Sequence, residues 1–220
     1  IMHKRYIHAC SCIFLVPENE KEDLVLVAAM LPPKAARRMS RLGIMLYNLL
    51  DKMPLNFATT LIYGTTFTEV SALQTYLDSF PYASPLAFQK SIHPGGIEQA
   101  LILRHQEVGA LLPLAGKASL LPQMLKCAFL SETPNTVLSG GEEQGGWLKE
   151  YGIAHDSSFA FAIHLSEDAE GSIGTLEWEP ESTQEDVVLP SLEAAVKMLN
   201  KRKSLVINCG CHGRFSTHWK

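Results

Sequence analysis

Lys117 stands in the pentapeptide Ala115-Gly116-Lys117-Ala118-Ser119. Small residues on both sides let the backbone bend sharply and let another surface approach, the usual setting for a nucleophile raised on a strand-to-helix turn. The raised residue is a lysine, which in a desolvated turn can form a Schiff base. No other residue in the sequence supports that chemistry, so the expected role is a charged plug or an ion pair with Glu142 or Glu143 of Gly140-Gly141-Glu142-Glu143. His93 precedes Pro94-Gly95-Gly96 with no suitably spaced nucleophile, which favours a structural residue. Cys10-x-Cys12 and Cys209-x-Cys211, the latter beside His212, would each point to one face of a strand and could surround a zinc ion if the strands met. That spacing is tighter than the usual C-x2-C knuckle, and buried free thiols without metal are expected. The glycine-rich run Gly140 to Gly146 has neither a following Lys-Ser/Thr nor dinucleotide spacing, so no cofactor is expected.

The elements that must position these residues follow from periodicity. Tyr6 to Val16 reads as a strand, Glu18 to Asp23 as an acidic turn, and Leu24 to Met30 as a short apolar element of either type. After Pro32-Pro33, the apolar spacing of Ala36, Met39, Leu42, Leu46, Leu49 and Leu50 predicts a helix over Lys34 to Met53. Arg37, Arg38 and Arg41 would crowd its first turns, against the helix dipole, which hints at an anionic partner. A strand over Asn56 to Tyr63 and a helix opened by Thr65 to Glu69 and running to about Phe80 make a βα unit. Pro81 to Ser84 is loop, Ile97 to Arg104 a short helix with Ile97, Leu101 and Ile102 on one side, and Gly109 to Leu114 an apolar approach to Lys117. Ala118 to Leu130 reads as a helix kinked near its start by Pro122. Strands follow at Asn135 to Ser139 and Ser158 to Ser166, separated by the glycine loop Gly140 to Gly146. After the acidic turn Glu167 to Gly171, Ser172 to Glu179 reads as the hairpin partner of that second strand. Pro180 to Asp186 is a polar, mobile segment, Leu192 to Leu199 an amphipathic helix and Leu205 to Cys209 a final strand. This alternation predicts a layered α/β domain with a mixed central sheet flanked by helices, spanning residues 1–220 as one unit.

Four motifs carry a resemblance. They are Leu31-Pro32-Pro33 leading into Arg37-Arg38-Met39-Ser40-Arg41-Leu42, the set Ser84, Pro85, Phe88, Ser91 and His93, the Lys117 pentapeptide, and Gly140-Gly141-Glu142-Glu143. From about Leu31 to about Ser166 the chain resembles the N-terminal half of the β-ketoacyl synthases of the thiolase-like superfamily. Within them it looks most like the short chain-length-factor group of aryl-polyene or related polyketide and fatty-acid systems. The resemblance implies a thiolase-like half whose nucleophile position, a cysteine in Ala-Gly-Cys-Ala-Ser, is held by Lys117. Pro94 also replaces the Asn that commonly follows the family's His, and a complete synthase adds a second half carrying the histidines used for decarboxylation. A non-catalytic subunit paired with a full-length ketosynthase and served by an acyl carrier protein is therefore implied. Leu86, Phe88, Ser91 and His93 are the candidates for the tunnel or interface. Asn135 to Ser139 is the implied edge strand, and the loop Ser84 to Ile92 the implied tunnel cover with Phe88 as anchor. A homodimer through the same edge is the competing assembly. Two other readings are an independent acyltransferase or hydrolase using Cys127, His93 or a metal at the paired cysteines, and a stand-alone module binding acyl carrier protein.

With 46% hydrophobic and 19% charged residues, the composition is that of an ordinary globular chain. A formal charge of −4 gives no reason to expect nucleic acid or an anionic membrane as partner. No apolar run approaches the roughly 20 residues of a membrane span. Five cysteines, an odd number, suit a reducing compartment, and cytoplasm is the expected location.

Overall fold

The structure is a computed structural model that describes residues 2–180, 188–210 and 213–220. It contains β1 (His3–Leu15), α1 (Glu20–Ala28), α2 (Arg41–Leu50), β2 (Thr59–Thr65), α3 (Val70–Asp78), α4 (Pro85–Ser91), α5 (Gly95–Arg104) and β3 (Ala110–Ala115). These are followed by α6 (Leu120–Leu130), β4 (Asn135–Glu142), α7 (Gly146–Glu150), β5 (Ser158–Ser166), β6 (Gly174–Glu179), α8 (Leu192–Asn200), β7 (Val206–Asn208) and β8 (Arg214–Trp219).

The strands form an eight-stranded mixed sheet in the order β3-β2-β4-β5-β1-β6-β8-β7. β2 lies parallel to both β3 and β4, and the remaining ladders are antiparallel. Period-2 alternation along β2 divides the core. Leu61 and Tyr63 join Leu42, Leu46 and Ile97 under α2 and α5, while Ile62 joins Leu121, Met124 and Leu199 under α6 and α8. The C-terminal strands reach the second layer, stacking Trp178 on Phe215 at 5.9 Å and both against Phe129 of α6 at 5.6 and 6.2 Å.

Several sequence expectations change. The acidic turn and the apolar element after it are one helix, because Glu20, Glu22 and Asp23 occupy the favourable first turn of α1. The expected Lys34 to Met53 helix is two pieces: a 3-10 turn over Ala35–Arg38, extended backbone at Met39, and α2 capped by the Ser40 hydroxyl, which accepts from the Gly43 amide at 3.0 Å. Arg37 and Arg38 thus precede α2, and Arg41 pairs with Glu20 at 3.2 Å. β2 starts at Thr59 and absorbs Thr65, so α3 begins only at Val70. In α5 Ile97 and Leu101 are buried, but Ile102 points to solvent. Pro122 does not kink α6, because it falls in the first turn, where amides have no partner inside the helix.

Asn135 to Ser139 is no edge. It belongs to β4, buried between β2 and β5. The glycine loop is largely strand too: a Cβ on Gly140 would stand 2.0 Å from the Gly64 carbonyl oxygen, and one on Gly141 2.2 Å from that of Phe159, so neighbouring backbones require both glycines. Ser172 to Glu179 contributes β6, which pairs with β1 and β8 rather than β5. The final strand is β8, after the short β7. Most of Pro180 to Asp186 lies outside the described residues.

Candidate functional site

β2, β3 and β4 are parallel, so their C-terminal ends gather at one end of the sheet, where loops of α/β proteins place their chemistry. Thr65 pairs with Ala115 and Gly64 with Gly140, which brings the turn after β2, the Lys117 turn and the Glu142 region together there.

Lys117 is exposed in the two-step turn between β3 and α6, and its carbonyl accepts from the Leu120 amide at 2.9 Å. None of Ala115 to Ser119 has a positive φ, and a Cβ on Gly116 would make only ordinary contact, so this is an unstrained turn. The expected ion pair is not formed. Glu142 and Glu143 are buried and spend their oxygens on backbone amides: Glu142 accepts from Thr66 and Phe67, and Glu143 from Leu42 at 3.2 Å and Ser71 at 2.7 Å. A carboxylate inside the sheet end finds amide donors closer than a lysine held outside on the turn.

Ser84 to Ile92 is a helix, not a loop. The Ser84 hydroxyl accepts from the Ala87 amide at 3.3 Å and Pro85 takes the first helical position, a complete start signal. Ala87 faces inward, while Leu86 and Phe88 are 48% and 49% exposed. Tyr76 of α3 packs on Phe88 with ring centroids 5.2 Å apart, and the Ser91 hydroxyl donates to the Phe88 carbonyl at 2.8 Å. Phe80 and Tyr82 are exposed nearby in sequence, so α3, α4 and their connection present an apolar surface to solvent. Leu86, Lys90, Arg41 and Ser71 line a cleft of about 510 Å³ beside it.

His93 stacks on Tyr63 at 5.3 Å, with both ring nitrogens buried and burial holding its pKa below the ordinary value. Tyr63 donates to Glu69 at 3.4 Å, and Glu69 also accepts from the Gly96 amide at 2.8 Å. A Cβ at position 96 would stand 2.5 Å from the Glu69 carboxylate, so a larger residue there would have to displace that side chain. Sequence reading missed this Tyr63, Glu69, His93 group. Its one signal was the Gly95-Gly96 pair opening α5.

The structure does not bring Cys127 to His93. Cys127 packs on the α6 and α8 face, whereas the Tyr63 that His93 stacks on belongs to the core under α2 and α5. Cys10 and Cys12 pack against the α6 and α8 core, where burial pushes their thiols up to about 12 and about 11, far from the thiolate that binds metal or attacks. Cys209 is also a free thiol, and Cys211 and His212 lie outside the described residues. Among the described residues no group of three or more metal-ligating side chains exists. No helix there is long and apolar enough to cross a membrane.

Neither a protein-family model nor a curated protein matches the chain. Solved structures do. One chain of the ketosynthase ApeO in complex with its chain length factor ApeC from Xenorhabdus doucetiae aligns at a TM-score of 0.67 with 17% identity, over 98% of this chain and 99% of that one. The ketosynthase from module 6 of the bacillaene synthase of Bacillus subtilis 168 aligns at 0.51 with 12% identity, over 90% of this chain and 45% of that one. The chain therefore has the thiolase-like α/β fold of ketosynthases.

Proposed function

We propose that the chain is a non-catalytic, chain-length-factor-like subunit acting beside a full-length ketosynthase in polyketide- or fatty-acid-type chain building, of which aryl-polyene synthesis is one setting. The observation that carries this reading is the structural match itself: one chain of a ketosynthase and chain length factor complex aligns with this one at a TM-score of 0.67. Lysine in place of the acyl-carrying thiol points the same way, because condensation needs a thiolate to hold the chain.

The partner has an obvious place to bind. β3 is an edge strand whose outer side pairs with no strand among the described residues, and it carries the largely exposed apolar sequence Ala110-Leu111-Leu112-Pro113-Leu114-Ala115. The other edge, β7, is three residues long and is bridged by Val188. Arg37, Arg38 and Lys90 make no ion pair among the described residues and leave a cationic surface beside Leu86 of α4, which suits an anionic partner such as acyl carrier protein.

Two outcomes are expected. Co-expression with the cognate ketosynthase gives a stable heterodimer, in which substituting Phe88 by alanine or tryptophan shifts product length more than turnover. A chain that stays monomeric beside the ketosynthase, or forms only a homodimer, contradicts the reading. After incubation with acyl-loaded carrier protein, peptide mass spectrometry should find no acyl group on Lys117, and an adduct there would make the chain an enzyme in its own right.

A further inference from the structure

β1 is an inner strand for only half of its length. His3 to Ile7 pair with β6 on one side, and Tyr6 to Leu15 pair with β5 on the other. A bulge between Ile7 and Ala9 marks where β6 leaves, and from Ala9 to Phe14 the side turned away from β5 pairs with no strand among the described residues. Burial follows: β5, paired on both sides, is buried almost throughout, whereas His8 to Phe14 are only half-buried. In an antiparallel ladder every second residue turns its amide and carbonyl away from the partner strand. Along Ala9 to Phe14 those outward groups have no backbone partner among the described residues.

A cleft of about 510 Å³ runs along this open side. Cys10 and Cys12, which pack on the α6 and α8 core, and Ile13, which packs on the α2 and α5 core, all line it, so it follows the edge of the strand and not one face of the sheet. The stretch Ala9-Cys10-Ser11-Cys12-Ile13-Phe14 has neither the proline nor the charged residue that usually discourages pairing at an open edge. Its surroundings are cationic. Asp51, the one carboxylate lining the cleft among the described residues, is engaged by Arg104, while Lys52 lines it with no ion pair among those residues. At the opposite wall Asn200 ends α8 and leads into Lys201-Arg202-Lys203, likewise without ion pairs among the described residues. Arg202 lies near enough to Cys10 for its charge to act on that thiol.

We propose that Ala9 to Phe14 is a strand-addition site, which takes an extended acidic segment of a partner protein into the sheet beside β1. Backbone donors and acceptors at strand spacing fit an extended chain and not a helix, whose own amides and carbonyls are already paired. Cations on both walls select acidic side chains, which alternate between the two faces of an added strand and so reach Lys52 on one and Arg202 on the other. Three strands separate β1 from β3, so the proposal stands whether or not a ketosynthase occupies that edge.

The open stretch spans roughly 20 Å, so the probe is a blocked peptide of about eight residues alternating glutamate with valine. Fluorescence anisotropy on the full chain should detect its binding, with an affinity that falls as salt is raised. The same peptide with every amide N-methylated keeps its charge but cannot pair, and it should bind roughly tenfold more weakly or worse, as should a lysine–valine peptide. Hydrogen exchange should show alternate amides of Ala9 to Phe14 exchanging readily in the free chain and protected roughly tenfold or more by the glutamate peptide, with β5 unchanged. Lys52 and Arg202 are exposed, so Lys52→Glu and Arg202→Glu should fold and each weaken binding by roughly tenfold, while Lys149→Glu in α7 should not. Failure of the glutamate peptide to bind, equal binding by the methylated or lysine peptide, or protection that maps to another strand would overturn the proposal. Complete protection of Ala9 to Phe14 in the free chain would also overturn it, because the chain itself or a second copy would then already cover the edge.

Discussion

Replacing Arg5 by alanine should destabilise the chain by roughly 3–5 kcal/mol, because it leaves three backbone carbonyls without their donor at about 1–3 kcal/mol for each that stays dry. Domains are stable by only about 5–15 kcal/mol, so this is a large share. Arg5 is 3% exposed, and its guanidinium donates to the carbonyls of Ser131, Thr133 and Pro134 at 2.9–3.2 Å. Those carbonyls lie in the turn joining α6 to β4, so one side chain on β1 fixes the end of a core helix to the sheet. Glu167, 3.4 Å away, is mostly exposed and adds little. Truncation therefore costs three acceptors their donor more than it costs an ion pair. Arg5→Lys should fall between the two, because an ammonium cannot span three carbonyls with a planar fork. Urea unfolding with an unchanged slope and a lower midpoint is the expected reading. A loss below about 1 kcal/mol would mean that water takes over the three carbonyls.

Much of the fold was legible because local pattern and final burial agree. The apolar run at Ser158 to Ser166 becomes the buried strand β5, and the spacing of Leu42, Leu46 and Leu50 becomes the inward face of α2. Strand order was not legible. β3 and β4 are both short apolar stretches, and which one lies at the edge depends on pairings with β5 and β1 that no local window contains. β8 was missed for a similar reason, since Arg214 to Trp219 alternates polar with apolar and reads as neither core nor turn. At the candidate site, exposure of Leu86 and Phe88 fits a surface role, but Ser84-Pro85 should have announced a helix. The carboxylate group was invisible because Thr68-Glu69 and Glu142-Glu143 look like solvated loop residues, and only the sheet end buries them. The supposed Lys117 ion pair failed for the same reason: short range in the sequence pattern says nothing about which side of the sheet end a charge occupies.

Leu112→Lys should weaken heterodimer formation with a ketosynthase by about 100-fold, close to 2.7 kcal/mol, while leaving the subunit folded. Leu112 lies at the middle of β3 and is 39% exposed, whereas its neighbours Leu111 and Leu114 pack into the two core layers. A lysine there can turn to solvent in the free subunit, so the fold tolerates it. It cannot do so once a second strand lies alongside, and a lysine on an open edge is a device by which proteins discourage strand pairing. The same change at Leu26 of α1, which is 70% exposed, supplies the control. α1 packs against β1 and α2, and β1 is separated from β3 by three strands, roughly 19 Å of sheet at about 4.8 Å per step. Leu26→Lys should therefore bind as wild type does. Pro113 limits where the partner's hydrogen bonds fall, because it offers a carbonyl but no amide. Affinity measured by analytical ultracentrifugation or calorimetry separates the outcomes. Equal binding by Leu112→Lys and wild type would remove β3 from the interface, and an equal loss in both lysine variants would mean that added charge rather than edge pairing weakens assembly.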